Sequence, residues 1–592
     1  MTDNPFFATW TTPWGLPPFD RIRPEHFPPA FARGMEEEKA AVAAIAANPE
    51  PASFANTVAA LEKSARLLDR VGAVFFNLEG SNSSEEIERV ARDLAPKLAR
   101  HRMAIALDEG LFARLDALYR RCGELAPAPD ELRLLERRHS DLVRAGAQLG
   151  AAEKARLAAI AERLATLETQ FGQNVLHDES DFALVLDEED LDGLPDFARA
   201  AAAEAAKERG QEGRYAVTLA RSAVEPFLTF SRRRDLRRLI YEAWTRRGAH
   251  EGEHDNRPLI PEILALRAEK ARLLGFSSYA DYRLDDTMAK TPEAAERLLD
   301  EVWRPAKGKA AAERAELEGI AREEGLNEPI MPWDWRYYAE KVRQRRFDLD
   351  EAALKPYFVL DNIIEAAFDT AGRLFGLAFA ERKDLALYHP DVRAFEVRDR
   401  AGRPVGLFLR DDFARSRKHS GAWMSSYRDQ ENFAGEVLPI VVNNNNFAKG
   451  APTLLSFDDA RTLFHEFGHG LHGLLSRVRF PTQSGTAVKR DFVEFPSQLL
   501  EHWIAQPRVL RRFARHAATG AALPEEVIER LLKARTFNQG FATVEYTAAA
   551  LIDMELHRRE WSEGFDIEAF EHAFLARIEM PAAIELRHRP AH

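Results

Sequence analysis

The pentad His-Glu-Phe-Gly-His at residues 465–469 constrains this chain more than any other feature. Residues four apart lie on one face of an α-helix, so His465 and His469 can both direct ring nitrogens at a single metal ion. Glu466 lies one step around the helix, beside that ion, where its carboxylate can take a proton from a water that the ion activates. The spacing therefore predicts a helical zinc site with Glu466 as general base.

The residues around the pentad favour a metal site over a helix whose histidines are merely solvated or bonded within a core. Asp458 precedes His465 by nearly two turns on the same face, where it could orient a ligand histidine as a hydrogen-bond acceptor. Apolar residues at helical spacing predict that the histidines lie at a buried wall. These residues are Leu463, Phe464, Phe467, Leu471, Leu474 and Leu475.

A carboxylate downstream is available as a third ligand. A histidine at position 475 would indicate the metzincin class, and Leu475 excludes it. The other large class takes its third ligand from a carboxylate on a following helix. Glu494 stands between Val493 and Phe495, an apolar setting in which a metal would relieve the cost of an unpaired carboxylate. Glu501 falls on the same helical face, either supporting a ligand histidine through a hydrogen bond or as an exposed helix charge.

Two sequence blocks, residues 462–475 and 491–503, resemble those of the thimet oligopeptidase family of zinc metallopeptidases. The resemblance is closest to the bacterial dipeptidyl carboxypeptidase (peptidyl-dipeptidase) branch and covers essentially the whole chain. Further segments resemble that branch in order and spacing: Asn4–Phe7, Arg70–Leu78, Phe413–Met424 and Ser484–Thr486.

The resemblance implies a ligand set, a general base and a fold. His465, His469 and Glu494 would hold one Zn²⁺ per chain and Glu466 would act as general base, the same four residues that the spacing indicates. The fold would be mainly α, an elongated multi-helix body with a deep central channel that admits short peptides.

The last residues of the chain depart from the family pattern. In relatives, a segment resembling Arg587–His592 continues for several dozen residues and holds a glycine-rich loop, with a histidine and tyrosines that stabilise the oxyanion. We therefore expect the C-terminal segment of the family to be missing, by truncation or by divergence. Loss of one oxyanion donor costs roughly 10²–10³ in turnover, so we expect a chain that binds zinc and hydrolyses peptides poorly.

The pattern of apolar residues predicts how the chain is organised. Helical stripes such as Leu157–Val175 dominate the first part, and we predict an N-terminal helical region over 1–230. The catalytic region would cover 231–592, incomplete at its C-terminus.

A small β-sheet is predicted next to the zinc helix. Residues 395–409 indicate a hairpin, and residues 437–442 a further strand closed by Asn443–Asn446. The edge of such a sheet can pair with an extended peptide. The resemblance places Gly421 and Ala422 on a substrate-facing strand, whereas Gly-Ala-Trp taken alone is more typical of a packed corner.

Composition excludes several classes of partner. A net charge of −13 argues against nucleic acid and against anionic membranes. Cys122 is the only cysteine, which excludes a disulfide and a thiolate metal site. The start of the chain has no basic segment followed by an apolar core, and no run of ~18 apolar residues suggests a membrane span. We expect a cytoplasmic monomer that acts on short peptides.

The predicted function is a zinc metallopeptidase that releases C-terminal dipeptides from short peptides. One alternative is an endo-acting oligopeptidase of the same family. Another is a zinc- and peptide-binding form with impaired catalysis, and a third is a hydrolase of non-peptide amides. Removal of dipeptides depends on an anchor for the terminal carboxylate of the substrate, and the sequence does not identify that anchor.

Overall fold

The computed structural model describes residues 4–561 and 564–592. Residues 1–3, which belong to the predicted N-terminal region, lie outside the described residues. They are also part of the segment from which we predicted that no secretory leader is present. Residues 562–563 of the predicted catalytic region lie outside the described residues as well. Within the described residues, helices make up most of the chain, and the mainly α fold class is confirmed.

The helices are numbered in chain order. They are α1 (Phe27–Ala46), α2 (Ala59–Ser64), α3 (Arg66–Ser81), α4 (Glu85–Ala106), α5 (Glu109–Arg120), α6 (Cys122–Leu125), α7 (Pro129–Arg144), α8 (Ala151–Asp181), α9 (Asp196–Glu208), α10 (Arg221–Phe230), α11 (Arg234–Thr245), α12 (Leu259–Leu273), α13 (Tyr279–Asp285), α14 (Pro292–Glu323), α15 (Pro332–Phe347), α16 (Glu351–Leu354), α17 (Leu360–Phe375), α18 (Phe457–Leu474), α19 (Phe495–Ile504), α20 (Pro507–Phe513), α21 (Glu525–Lys533), α22 (Gln539–Arg558) and α23 (Ile567–Arg577).

The apolar stripe predicted over Leu157–Val175 is the buried face of α8. Leu157, Ile160, Leu164 and Leu167 are all buried along it. Their three- and four-residue spacing keeps them on one side of the helix, which packs against α4 and α12. Periodicity alone therefore located the longest element of the first half of the chain.

The strands form two sheets. β1 (Ala183–Leu186) and β2 (Tyr215–Thr218) pair antiparallel. The larger sheet contains β3 (Ala378–Glu381), β4 (Arg393–Arg398), β5 (Pro404–Phe413), β6 (Trp423–Arg428) and β7 (Ile440–Phe447). Its order is β3-β4-β5-β7-β6, antiparallel except for the parallel pair β5-β7. β6 is therefore an edge strand.

The predicted sheet is confirmed, but the position of one strand differs. The hairpin over 395–409 is the antiparallel pair β4-β5. The asparagine run does not end the next strand, because Asn443–Asn446 all lie within β7. Both neighbours of β7 satisfy its backbone, and the Asn445 Nδ2 group donates to Asp412 Oδ1 at 3.0 Å. Backbone pairing on both sides thus overrode the usual preference of asparagine for turns.

The five-stranded sheet has a core on each face. Phe408 and Val441 pack on one face with Phe464 and Phe467 of α18. On the other face, Leu409 and its neighbours pack against helices of the N-terminal part. This arrangement holds α18 directly against the sheet.

A further core cluster, drawn from residues 186–241, spans position 230. The predicted division of the chain into 1–230 and 231–592 stays a prediction. None of the helices within residues 4–561 and 564–592 has the length and apolar character that crossing a bilayer requires.

Candidate metal centre

Helix α18 begins with reciprocal capping bonds that fix its first turn. The Asp459 N–H donates to Ser456 Oγ at 2.9 Å, and the Ser456 N–H donates to Asp459 Oδ2 at 2.9 Å. Because Phe464 and Phe467 are fully buried against the sheet side, the rotation of the helix is fixed as well. His465 and His469 then face α19.

The structure brings His465, His469 and Glu494 together. Glu494 Oε2 lies 3.1 Å from His465 Nε2 and 3.0 Å from His469 Nε2. One potential ligand atom from each of these residues lies within 4.8 Å of the others. Zinc bonds of ~2.0–2.2 Å in a tetrahedron place ligand atoms roughly 3.3 Å apart. Two imidazoles and one carboxylate at these separations fit a metal ion.

Glu494 is positioned by the start of α19. The Ser497 hydroxyl donates to Glu494 Oε2 at 3.1 Å and to the Glu494 carbonyl at 2.8 Å. The expected apolar setting of Glu494 is wrong, since its side chain is 51% exposed. The flanking Phe495 is itself 59% exposed, because this end of α19 projects from the core. The carboxylate is therefore accessible to an ion and to water.

Of the two alternatives for Glu501, its position agrees with support of a ligand histidine, because it contacts His465. Glu501 Oε1 lies 2.6 Å from His465 Nδ1, the ring nitrogen opposite the one that faces Glu494. A carboxylate at that position selects the tautomer that leaves Nε2 free to bind a metal. Glu501 Oε2 in turn lies 3.7 Å from Arg461.

Asp458 does not support a histidine directly, which corrects the prediction made from helical phase. Its carboxylate pairs with Arg221 at 2.5 Å and also with Arg461. Asp458 shares a face with His465, but two helical turns separate them by about 10.5 Å along the axis. An aspartate side chain cannot span that distance. Asp458 reaches His465 only through Arg461 and Glu501.

Glu466 is buried beside the two histidines. It is 5% exposed, and its Oε2 has no hydrogen-bond partner among the described residues. Burial raises the pKa of Glu466 to about 7, with the charge of His465 opposing and those of Glu494 and Glu501 adding to the rise. A carboxyl group with such a pKa exchanges protons readily near neutral pH.

The two imidazoles experience different surroundings. Burial lowers the pKa of His465, but the Glu501 hydrogen bond and the surrounding carboxylates outweigh it and raise the pKa overall. Burial lowers the pKa of His469, with Glu494 opposing. The carboxylates around the two rings give the site an excess of negative charge, which attracts a cation.

Gly421 and Ala422 lie directly before the edge strand β6. Gly421 has a φ of +85°, a conformation that favours glycine, and its carbonyl accepts from Asn446 Nδ2 at 2.7 Å. One side of β6 pairs with β7, and its other side has no strand partner among the described residues.

Gly468 and Ser497 are contributors that the sequence did not reveal. A Cβ on Gly468 would lie 2.6 Å from Ser497 Cα and 2.9 Å from the Pro496 carbonyl oxygen. Glycine between the two histidines therefore lets α19 approach closely enough to deliver Glu494. A serine three residues after Glu494 was the available signal for a bond to that carboxylate.

Comparison with known proteins places the chain in a family. Residues 227–578 match the model of peptidase family M3. A dipeptidyl carboxypeptidase from Escherichia coli (strain K12) is 41% identical over 98% of this chain and 86% of its own length. Oligopeptidase A from Salmonella typhimurium is 32% identical over 92% of this chain and 82% of its own length.

The fold has a relative among solved structures. A putative oligoendopeptidase F matches 98% of this chain and 82% of its own chain with a TM-score of 0.52 and 12% identity. That similarity supports the fold alone. The family match over more than half of the chain and the identity over nearly its full length establish that the chain is a metallopeptidase of peptidase family M3.

Proposed function

We propose that the chain is a zinc metallopeptidase that hydrolyses short peptides and releases their C-terminal dipeptides. The convergence of His465, His469 and Glu494 beside the buried Glu466 carries the proposal. The similarity to two bacterial dipeptidyl carboxypeptidases, at 41% and 40% identity, supports the choice of reaction. A cytoplasmic location and a monomeric state stay predictions.

In this proposal His465, His469 and Glu494 hold the ion. When bound, zinc supplies a Lewis acid that lowers the pKa of water toward ~7 and polarises a carbonyl group. Glu501 accepts a hydrogen bond from the Nδ1–H group of His465, so that Nε2 presents its lone pair. Ser497 donates to the Glu494 carboxylate and limits its rotation.

Glu466 moves the proton. As an unpaired carboxylate in a buried site, Glu466 accepts a proton from the attacking water and donates it to the leaving amine. Its burial without a hydrogen-bond partner among the described residues leaves the carboxylate available for both transfers.

The edge of β6 that has no strand partner among the described residues gives the peptide a surface at the N-terminal end of the strand, whereas nearer its C-terminal end the Ser426 carbonyl accepts from Asn77 Nδ2 of α3 at 3.1 Å. An extended peptide gains main-chain hydrogen bonds by adding to a sheet edge. Gly421 and Ala422, directly before β6, would face the substrate near the catalytic helix.

The test compares Glu466→Gln with wild type. The variant is expected to retain one zinc per chain while hydrolysis of a fluorogenic peptide falls by roughly 10²-fold or more. His472→Gln, which changes a histidine of the same helix outside the ligand set, is the matched control and is expected to keep both zinc and activity. Activity surviving in Glu466→Gln would remove Glu466 from the role of base.

Product analysis separates the alternatives. Mass spectrometry of a digested heptapeptide is expected to show dipeptides from the C-terminus, lost on chelation. Internal fragments would support the endo-acting alternative. Zinc binding without peptide turnover would support the impaired form, and turnover of amides without a peptide-length preference would support the non-peptide hydrolase.

A further inference from the structure

A cavity of about 370 Å³ lies between α9, α10 and the segment that leads into β6. Much of its wall is apolar, with Phe197, Ala223, Pro226, Phe227, Pro452 and Leu454 among the lining residues. Ser420 and Asn446, which adjoin Gly421, line the same cavity. The cavity therefore opens beside the N-terminal end of the edge strand.

Lys355 presents an ammonium group to this cavity, and none of the described carboxylates that offset its burial, Asp459 foremost, reaches it within ion-pair distance. Lys355 is 7% exposed and lines the cavity, and its Nζ lies 4.0 Å from the centroid of the Phe197 ring. Within the described residues, Nζ makes no hydrogen bond and no ion pair. A buried ammonium without a hydrogen-bonded anion is costly. The donors of Lys355 are therefore available to an acceptor that enters the cavity.

A second buried lysine that lines the cavity, Lys418, has all of its ammonium donors hydrogen-bonded. Lys418 Nζ donates to the carbonyl and the Oδ1 of Asp411 at 3.0 and 2.8 Å, and to the carbonyls of Phe413 and Asn445 at 2.9 and 2.6 Å. Lys418 has no capacity left for a ligand, whereas all three donors of Lys355 are free.

The direction of the catalytic helix relates this cavity to the metal centre. A Cβ on Gly473 would meet Met424 and Val441, and one on Gly470 would meet Asn443. Residues nearer the N-terminus of α18 therefore contact higher-numbered residues of β7, so α18 runs antiparallel to β7. Because β6 also pairs antiparallel with β7, α18 and β6 run in the same direction. A peptide added antiparallel to β6 would run with its C-terminus toward the start of α18 and the cavity.

Lys355 lies near the start of α18. Three residues after it, the Phe358 ring lies 5.7 Å from the ring of Phe457, the first residue of α18. Asp459, in that first turn, precedes Glu466 by seven residues, about 10 Å along the helix axis. Two extended residues span ~7 Å, and a charge-assisted hydrogen bond adds ~3 Å. The axial separation between the first turn of α18 and the general base is therefore about the length of a bound dipeptide.

We propose that this cavity receives the C-terminal dipeptide of the substrate and that Lys355 binds its carboxylate. The inference rests on the proposed function and specifies its substrate class. The substrates would be peptides with a free C-terminus whose last two side chains fit an apolar pocket.

Binding tests the proposal without requiring turnover. Calorimetry would measure the affinity of alanyl-phenylalanine and of its C-terminal amide for the zinc-loaded chain. The free acid is expected to bind wild type at least ~30-fold more tightly than the amide, the range for breaking a buried charge pair. Lys355→Met is expected to bind both equally weakly.

Lys449→Met is the matched control. Lys449 lines the same cavity but is already paired with Asp391 at 2.9 Å, so this variant should keep the wild-type preference for the acid. Because Lys355→Met removes a buried charge that has no ion-pair partner, the Tm of the variant should not fall. The comparison of acid and amide binding to wild type does not depend on whether any variant folds.

Equal binding of acid and amide by wild type would overturn the proposal, as would an unchanged preference in Lys355→Met. Failure of the proposed function would appear differently, as absence of peptide hydrolysis by wild type.

Discussion

Substitution of Gly468 by alanine would test how the two ligand-bearing helices depend on each other. The new Cβ would lie 2.6 Å from Ser497 Cα, whereas ordinary contact begins at 3.4 Å. Both clashing groups, Ser497 Cα and the Pro496 carbonyl, are backbone atoms, so α19 must move by ~0.8 Å or more, taking Glu494 with it. Metal ligands tolerate deviations of only about 0.2 Å.

The expected result is a loss of zinc affinity larger than the loss of fold stability. Overpacking costs ~1–3 kcal/mol of unfolding free energy. Displacing one of three ligands by several tenths of an ångström is expected to raise the zinc Kd at least 10–100-fold, comparable to losing a supporting residue. A competition titration against a chromogenic chelator measures the Kd, and thermal unfolding of the metal-free chain measures the cost to the fold.

Gly473→Ala is the control on the same helix. Its Cβ would meet the Met424 side chain at 2.8 Å and the Val441 side chain at 3.0 Å. Side chains can give way where backbone cannot, and alanine favours the helix by up to ~1 kcal/mol. Zinc affinity should stay near the wild-type value. A Gly468→Ala variant that binds zinc as tightly as Gly473→Ala would refute the close-approach argument.

Three further predictions follow from contacts at the site and in the core. Glu501→Gln, which weakens the 2.6 Å bond to His465 Nδ1, is expected to raise the zinc Kd ~10–100-fold in the same titration; an unchanged Kd would make Glu501 an ordinary surface charge. Ser497→Ala removes one hydrogen bond to Glu494 and should raise the zinc Kd only about fivefold, ~1 kcal/mol. A larger rise in the zinc Kd for Ser497→Ala than for Glu501→Gln would contradict the expectation that Glu501 contributes more to zinc binding. Burial raises the pKa of Glu340 from 4.5 to about 7. Its effect on the free energy of unfolding of the wild type is therefore absent below pH ~4.5, and the free energy falls as the pH rises to ~7. Above that pH it is lower by ~3 kcal/mol. Glu340→Gln should therefore lose less unfolding free energy than wild type between pH 5 and pH 8, as measured by urea denaturation, and parallel pH profiles would contradict the assignment.

The sequence correctly predicted the residues whose positions depend on helix geometry. It failed for those whose positions depend on tertiary packing. The four-residue spacing of His465 and His469 fixes their common face in any helix, so no fold was needed to see it. Helical phase also related Glu501 to Glu494. The same phase argument misplaced Asp458, because phase gives direction around a helix and not reach along it.

Other differences arise from neighbours that a sequence does not show. The exposure of Glu494 depends on where α19 ends relative to the core, and flanking apolar residues do not determine it. The residue types of Asn443–Asn446 are typical of a turn, and only the pairing of β7 with β5 and β6 places them in a strand. Lys355 carries no motif, and only the fold brings it to the cavity beside β6. The resemblance supplied the family and the mainly α body, which composition alone does not distinguish from other helical proteins.

Anomalous diffraction at the zinc absorption edge, from crystals of the zinc-loaded chain, tests the central claim most directly. The account predicts one strong peak within ~2.0–2.2 Å of His465 Nε2, His469 Nε2 and a carboxylate oxygen of Glu494. A peak held by other residues, or no peak between the two histidines at saturating zinc, would contradict it.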